Sequence, residues 1–493
     1  MKVFIITEGG KGIGLGHITR CLSIYEAFED RGITPLFIVI ADRSVKALLG
    51  DKNYIAFNWL KNEKKLRDLL IDVDIVIVDS YLADIVFYNK ISKNIKVPVF
   101  IDDNNRLKYP EATIVNGSIC AKDLNYPKGK NIKYLLGSEY APIRKGFWDV
   151  KKRKIRAKIK NVMITLGGCD LKDTSSKLLA MLVDNYPDLN KYVVIAKGFS
   201  ASSINRIKKK KDNRTQLFYC LDSSAMKNLM QKSDISISAG GQTLYELARM
   251  GLPTIAICVA DNQVKNCNGW LKKRFIEYAG DVQDKDLAKK VRISIRRMEH
   301  KDFREKSSLA GQEKVDGKGA KRVVYYCLNE AFKNTIQLRK AKKTDVNLVY
   351  KLSNSKAVRE VSFNPGKILL KDHVEWFSQK IKDKKCLFLI AEIKGKFLGQ
   401  IRYDENGVSA LISISLDEKY RSSGVGSIVL RGSIQELKQL KPKLKLINAF
   451  VKESNVVSIK FFEKNNFVYK GSKLFDGVKA CEYVYSLRRN SLV

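Results

Sequence analysis

The chain has 493 residues, too many for one hydrophobic core, so two or three domains are expected. Hydrophobic residues make up 45% of it, no apolar run approaches the roughly 20 residues that span a bilayer, and residues 1–7 run straight into Glu8 and glycines without an h-region, so a cytoplasmic protein with no membrane partner is expected. The formal net charge of +39 draws anions, but no zinc-finger, RNP or helix-turn-helix signature accompanies it, so solvated lysine-rich faces and phosphorylated small molecules explain it better than nucleic acid.

Apolar runs at 3–7, 36–40, 75–79, 97–102 and 113–116 read as buried strands, with a helical pattern at 18–31. Their alternation predicts a parallel sheet with crossover helices over residues 1–150. Gly12-Ile13-Gly14-Leu15-Gly16-His17-Ile18-Thr19-Arg20 follows the first strand directly. Glycines let the backbone turn sharply and approach a ligand, and the helix start offers free N–H groups to anionic oxygens. His17 stands at that start, where the helix dipole disfavours the imidazolium and a neutral ring can take a proton from water. It could equally cap the helix or order the turn. The only other histidines are His300 and His373.

Residues 151–160 form a basic run that reads as a solvated inter-domain connection. A second α/β unit over 151–330 follows, with strands expected at 162–166, 192–196, 235–239 and 254–259. Ser238-Ala239-Gly240-Gly241-Gln242-Thr243-Leu244-Tyr245-Glu246 repeats the strand–glycine–helix theme. Leu244, Leu247 and Ala248 share a helical face that packs on the sheet. Thr243 and the neighbouring N–H groups suit a diphosphate, and the Glu246 carboxylate suits two ribose hydroxyls. A double-glycine turn with a capping Thr is the alternative. Asp261, Asn262 and Gln263 come at the carboxyl end of a strand. Two such halves with a cleft between them make a twin-Rossmann architecture.

From about Ile336 the pattern becomes α+β: a strand, two helices, strands at 387–393 and 397–403, then 408–416, a helix near Gly426, and 445–451. A domain over 337–490 is expected. Arg421-Ser422-Ser423-Gly424-Val425-Gly426-Ser427 has the spacing Arg-x-x-Gly-x-Gly between a strand and a helix, an anion nest suited to a pyrophosphate. Nine scattered cysteines with no C-x-x-C pair argue against a disulfide framework or a structural zinc site.

Six segments of the first 330 residues, in order, resemble the UDP-2,4-diacetamido-2,4,6-trideoxy-β-L-altropyranose hydrolases of pseudaminic acid synthesis, relatives of the MurG-like GT-B glycosyltransferases. They are Gly14 to Arg20, Val78-Asp79-Ser80-Tyr81, Ile101-Asp102-Asp103, Gly137 to Arg144, Thr165-Leu166-Gly167-Gly168-Cys169-Asp170, and Met226 to Gln263. The resemblance implies a GT-B-like arrangement of the halves and no metal. It implies His17 as general base for water attacking the anomeric carbon, with inversion and loss of UDP. It also implies Tyr81, with Asp79 beside it, in the substrate pocket. Gly14, Gly16, Gly167, Gly168, Gly241 and Thr243 would surround the diphosphate, Glu246 would hold the ribose, and Asn262 and Gln263 would face the sugar. Arg20 and Arg144 belong to the same matching segments and are expected to bind substrate. No apolar docking patch is evident near the N-terminal cleft, which favours hydrolysis over transfer to a lipid-linked acceptor. A MurG-like UDP-sugar glycosyltransferase, or the same chemistry on another nonulosonic acid precursor, are the alternatives.

Residues 336–488 resemble the GNAT acetyltransferases. Arg421, Gly424, Val425, Gly426 and Ser427 match their loop for the pyrophosphate of acetyl-CoA, and Asn455, Ser458, Phe461 and Phe467 match a later segment. The resemblance implies an acetyl-CoA-dependent N-acetyltransferase acting on the 4-amino group of the UDP-sugar that precedes the hydrolase substrate. Many GNAT enzymes carry a tyrosine where this chain has Phe462, so the acid that protonates the thiolate must be another group or water. His373 is either a base or a packing residue at a helix start.

Overall fold

The structure, a computed structural model, describes residues 1–10, 13–129, 131–168, 170, 172–333, 335–393, 395–420 and 424–487. Contacts divide the chain into two compact units, Met1–Cys327 and Leu328–Val493, with the division inside helix Gly319–Lys333.

The first unit holds two parallel sheets. Strands β1 (Val3–Glu8), β2 (Leu36–Ile40), β3 (Tyr54–Ala56), β4 (Ile75–Asp79), β5 (Val97–Ile101), β6 (Thr113–Asn116) and β7 (Lys133–Leu136) stand in the order 3-2-1-4-5-6-7. Strands β8 (Asn161–Thr165), β9 (Asn190–Ile195), β10 (Thr215–Tyr219), β11 (Ile235–Ala239), β12 (Thr254–Cys258) and β13 (Ile276–Asp281) stand in the order 10-9-8-11-12-13. Both orders are those of a doubly wound sheet, whose crevice opens where the winding reverses. That point lies between β1 and β4 in the first half and between β8 and β11 in the second.

The central strands are covered on both faces. Every residue of β1, β4 and β11 is buried, as parallel strands between helix layers must be. Ile6, Val76, Val78, Phe100 and Ile114 centre one core, and Val162, Ile164, Ile235, Ile237, Ile255 and Ile257 the other. Leu244, Leu247 and Ala248 are fully buried, as the helical spacing predicts.

The basic run at 151–160 is more than a solvated connection. Arg153 donates to the carbonyls of Met230 and Ser233, and Arg156 to that of Lys232 and to Asp234. The fully buried Arg304 donates back to the carbonyls of Arg156 and Ala157. Guanidinium groups satisfy carbonyls that would otherwise lack donors, so the run folds onto the second half.

The second unit is a single sheet of β14 (Ile336–Lys340), β15 (Cys386–Ile393), β16 (Lys396–Asn406), β17 (Ser409–Leu416), β18 (Leu446–Lys452), β19 (Val468–Phe475) and β20 (Val478–Ser486), ordered 14-15-16-17-18-20-19. Its neighbours are antiparallel except β17 and β18, which run parallel. Their register covers only Ser409↔Leu446 to Leu411↔Asn448. Beyond it the two strands part, while β17 stays paired with β16 up to Leu416.

Candidate functional site

In the first half, the turn after β1 closes on itself: Gly14 N–H donates to the Gly10 carbonyl at 2.8 Å and Gly10 N–H to that of Gly14 at 3.0 Å. Gly14 has φ +88°, a conformation that favours glycine. Gly16 has neither reason to be glycine. Its φ is ordinary, and a Cβ there would meet nothing within 4 Å. A bare helix start remains, with its N–H groups uncovered by any side chain of residue 16.

Helix Gly16–Glu29 carries His17 and Arg20 one turn apart, over the end of β4. His17 Nδ1 lies 2.7 Å from Asp79 Oδ1. Arg20 donates from Nε to Asp79 Oδ2 at 2.5 Å and from Nη2 to Oδ1 at 2.6 Å. Nη2 also lies 3.1 Å from His17 Nδ1. A carboxylate only accepts, so the imidazole proton resides on Nδ1 and the lone pair on Nε2. Asp79 is fully buried. Burial alone would raise its carboxyl pKa; the Arg20 guanidinium and His17 outweigh that and hold it well below the usual carboxylate range.

The network continues outward. Arg20 Nη1 donates to Asp103 Oδ1 at 2.6 Å, and the Tyr81 hydroxyl donates to Asp103 Oδ2 at 2.7 Å. The Tyr81 ring stands edge-on to His17 at 4.7 Å between centroids. Burial and the Asp103 carboxylate raise the Tyr81 hydroxyl pKa well above its ordinary value, so the proton stays on oxygen. Glu8, fully buried at the end of β1, accepts the N–H groups of Tyr81 and Leu82 through Oε1 at 2.7 and 3.2 Å.

These geometries alter two expectations. Asp79 is sealed beneath His17 and Arg20, so it acts on the imidazole rather than on a ligand. Arg20 likewise spends its guanidinium on Asp79 and Asp103. Exposed apolar side chains also follow Tyr81, contrary to the sequence reading: Leu82, Ile85 and Val86.

In the second half, Gly167 has φ +89°, whereas Gly168 has an ordinary φ; a Cβ on either would meet nothing within 4 Å. Gly240 is glycine for packing, since a Cβ would lie 2.3 Å from Cys267 Sγ, while one on Gly241 would make ordinary contact with Gln263. Thr243 opens helix Thr243–Met250 behind Gln242, whose amide donates to the Pro142 carbonyl at 3.1 Å. Glu246 is buried, and both its oxygens accept from Arg144, at 2.6 Å each. The expected ribose acceptor thus already holds a bidentate partner, and Arg144 serves it. Asn262 is exposed. Gln263 turns its carbonyl oxygen inward to the N–H groups of Gly240 and Val259, at 3.1 Å each, so that oxygen orders the glycine turn. The Tyr245 hydroxyl accepts from Ile119 N–H and donates to Asn266, tying the halves together.

In the second unit Arg421, with Ser422 and Ser423, lies outside the described residues. Gly424 adopts φ +89° as the cap of helix Val425–Leu440. Val425 and Ser427 are buried, and Ser427 Oγ accepts from Asn465 at 3.0 Å. A Cβ on Gly426 would lie 3.1 Å from the Phe461 ring, a tight contact that favours glycine. Asn455 caps the next helix through Ser458 N–H at 3.1 Å. This helix start stands at the end of β17, beside the parting of β17 and β18. Phe462 is buried against Phe461, Phe467 and Tyr483. His373 is buried against Tyr350, Trp376 and Phe377, and burial lowers its pKa. It packs a helix.

Sequence reasoning gave Asp103 and Glu8 no role. The signals were there: an Asp pair at the carboxyl end of β5, and an acid inside a wholly buried strand. Among the described residues, no group of three or more His, Cys, Asp or Glu could hold a metal ion, and no helix is long and apolar enough to cross a membrane.

The chain is 26% identical over 286 residues to the UDP-2,4-diacetamido-2,4,6-trideoxy-beta-L-altropyranose hydrolase of Campylobacter jejuni, covering 56% of this chain and 98% of that one. It is 26% identical over 267 residues to the Helicobacter pylori protein named as pseudaminic acid cytidylyltransferase and the same hydrolase, covering 54% of this chain. The chain spans about half the length of the first curated relatives it matches: 46% of that protein and 59% of an uncharacterised protein of Methanocaldococcus jannaschii. The putative phosphinothricin acetyltransferase YwnH of Bacillus subtilis is 31% identical over 153 residues, which cover 29% of this chain and 88% of YwnH. The sequence profile of the acetyltransferase (GNAT) family matches residues 356–467. In its C-terminal part, this chain belongs to the acetyltransferase (GNAT) family.

Proposed function

We propose that residues 1–330 form a GT-B-like hydrolase releasing UDP from a UDP-2,4-diacetamido-2,4,6-trideoxy sugar of pseudaminic acid synthesis. We also propose that the C-terminal domain N-acetylates the 4-amino precursor of that sugar. The observation that carries the first assignment is the buried contact of 2.7 Å between His17 Nδ1 and Asp79 at the winding reversal between β1 and β4. It fixes the tautomer in which Nε2 takes a proton from water while the oxygen attacks the anomeric carbon. The C1–O bond breaks with inversion and its electron pair leaves on UDP. Asp79 stabilises the imidazolium as it forms.

Gly16, Gly167, Gly168 and Gly241, with Thr243, leave main-chain N–H groups for the diphosphate and its developing charge, and Gly14 turns the chain beside them. Glu246 holds the ribose hydroxyls as Arg144 yields part of its carboxylate, and Asn262 faces the sugar. Tyr81 with Leu82, Ile85 and Val86 gives an apolar wall suited to two acetamido methyls and a C6 methyl.

Membership of the GNAT family makes acetyl-CoA the cosubstrate of the second unit. Gly424–Ser427 at a helix start would take the pyrophosphate. Where β17 leaves β18, main-chain groups of residues 412–415 have no partner strand on that side and suit the amides of the pantetheine arm. The bound coenzyme supplies the activated acetyl group.

The test is mass spectrometry of products from the UDP-linked 4-amino sugar with and without acetyl-CoA. The expected result with acetyl-CoA is an acetylated sugar, free CoA, UDP and the unlinked sugar. Without it the amino sugar persists. If the diacetamido substrate yields UDP only when a sugar or lipid acceptor is supplied, the glycosyltransferase reading replaces hydrolysis.

A further inference from the structure

We infer that Asp103, which nothing so far assigns a role, is a positioning residue that ties the Tyr81 hydroxyl to the His17 imidazole through Arg20. Its two oxygens take different partners: Oδ1 accepts from Arg20 Nη1 at 2.6 Å, and Oδ2 from the Tyr81 hydroxyl at 2.7 Å. Arg20 in turn grips both oxygens of Asp79, which holds His17. The chain Tyr81–Asp103–Arg20–Asp79–His17 is therefore unbroken. It closes on itself, because the Tyr81 ring meets His17 edge-on.

Two things follow from the charges. Arg20 faces two carboxylates, Asp79 and Asp103, so its charge is more than neutralised. With the Tyr81 proton committed to Asp103, the phenol oxygen offers only lone pairs to a ligand, so it accepts from an amide N–H or hydroxyl. The other groups around His17 are accounted for. The Cys21 thiol leans on Asp79 at 3.5 Å, and Glu8 holds the N–H of Tyr81. Arg106 stands 5.8 Å from the Tyr81 ring, and Asp102 is taken by Tyr109 and Tyr126. Of these carboxylates, Asp103 is the one that is part-exposed at the mouth and bonded to both the tyrosine and the arginine.

Replacing Asp103 by Asn keeps its shape and removes its charge. Arg20 then repels an imidazolium more strongly, so the sign is fixed: the His17 titration midpoint falls. The readout is imidazole NMR on the full chain labelled in histidine, whose three histidines are separated by comparison with His17→Ala. For Asp103→Asn the expected drop is about half a pH unit, the scale of one charge removed at a partly screened site. Asp103→Ser should move it the same way, and Asp103→Glu should restore the parent midpoint. A midpoint in Asp103→Asn and Asp103→Ser equal to that of the parent overturns the inference.

The second arm is the pH profile of UDP release, which rests on the hydrolase reading. There the acid limb of Asp103→Asn should move to lower pH, with kcat down about tenfold. If the parent releases no UDP, the hydrolase reading fails while the NMR midpoint still decides the role of Asp103. If the parent is active and Asp103→Asn matches it in both limb and midpoint, the inference fails alone.

Discussion

The two halves of the first unit share a strand order and fill it with opposite chemistry. At the first reversal point stand a histidine, an arginine and two carboxylates, locked at 2.5–2.7 Å. At the second stand glycines, a threonine and main-chain N–H groups, with one ion pair, Arg144–Glu246, behind them. On the proposed reading, one crevice moves a proton and the other grips an anion. A shared fold therefore says where a ligand sits, and the residue types at each loop say what is done to it.

The largest effect should come from the first half. His17→Ala should lower UDP release by about 10³-fold, within the range of general base contributions, with KM little changed. It should leave CoA release by the second unit untouched, as a coupled UDP assay run beside a thiol assay would read. Equal loss of both activities would break the division of labour.

Asp79→Asn is next. It turns one acceptor oxygen into an amide donor and so loosens the hold on the His17 tautomer; kcat should fall about 10²-fold, and Arg20, left with Asp103 as its charged partner, should cost about 3 kcal/mol in urea unfolding. The pH sign follows from the depressed Asp79 carboxyl. A carboxyl lowered in the folded state stabilises above its unfolded value of about 4 and loses that contribution as pH falls further. The stability gap between the parent and Asp79→Asn should thus be full at pH 6 and shrink below about pH 4.

The second half should respond in KM. Glu246→Gln breaks a charged bidentate pair and removes a ribose acceptor, so KM for the UDP-sugar should rise about 10-fold or more while kcat holds. The smallest change is the sharpest. Gly168→Ala meets no protein atom and no unusual φ, so stability should stay within about 0.5 kcal/mol. A diphosphate lying on that glycine would still raise KM several-fold. Gly240→Ala is the counterpart: it collides with Cys267 and should lose about 1–3 kcal/mol. If Gly168→Ala changed neither quantity, the grip would lie elsewhere.

Legibility in the sequence followed burial. The central strands β1, β4 and β8 stand out because strands covered on both faces read as apolar runs, whereas β11, Ile-Ser-Ile-Ser-Ala, stands out by the glycine pair that follows it. The sequence reading names no strand at β3, β7, β10, β13, β19 or β20. Half or more of each is half-buried or exposed, so neither an apolar run nor a clean alternation marks it. His17 and the glycine turns were legible because reactive and permissive residue types cluster within a few positions. The pairings were not. Arg20 reaches Asp79 across 59 residues and Asp103 across 83, and nothing local at either end announces the other. The same blindness made Asp79 look like a ligand contact and Gln263 a sugar contact, when the fold turns both inward.

The parting of β17 from β18 after three residue pairs carries a consequence for how the acetyltransferase half changes over time. A cosubstrate arm held by peptide groups is recognised by strand geometry, to which side-chain identity contributes little. Residues 413–415, which are half-buried, are then free to drift, so long as the strand keeps its direction and spacing. An inserted or deleted residue in β17 would shift every donor and acceptor at once. Point substitutions there should be forgiven, whereas changes in chain length should be fatal to acetyl transfer.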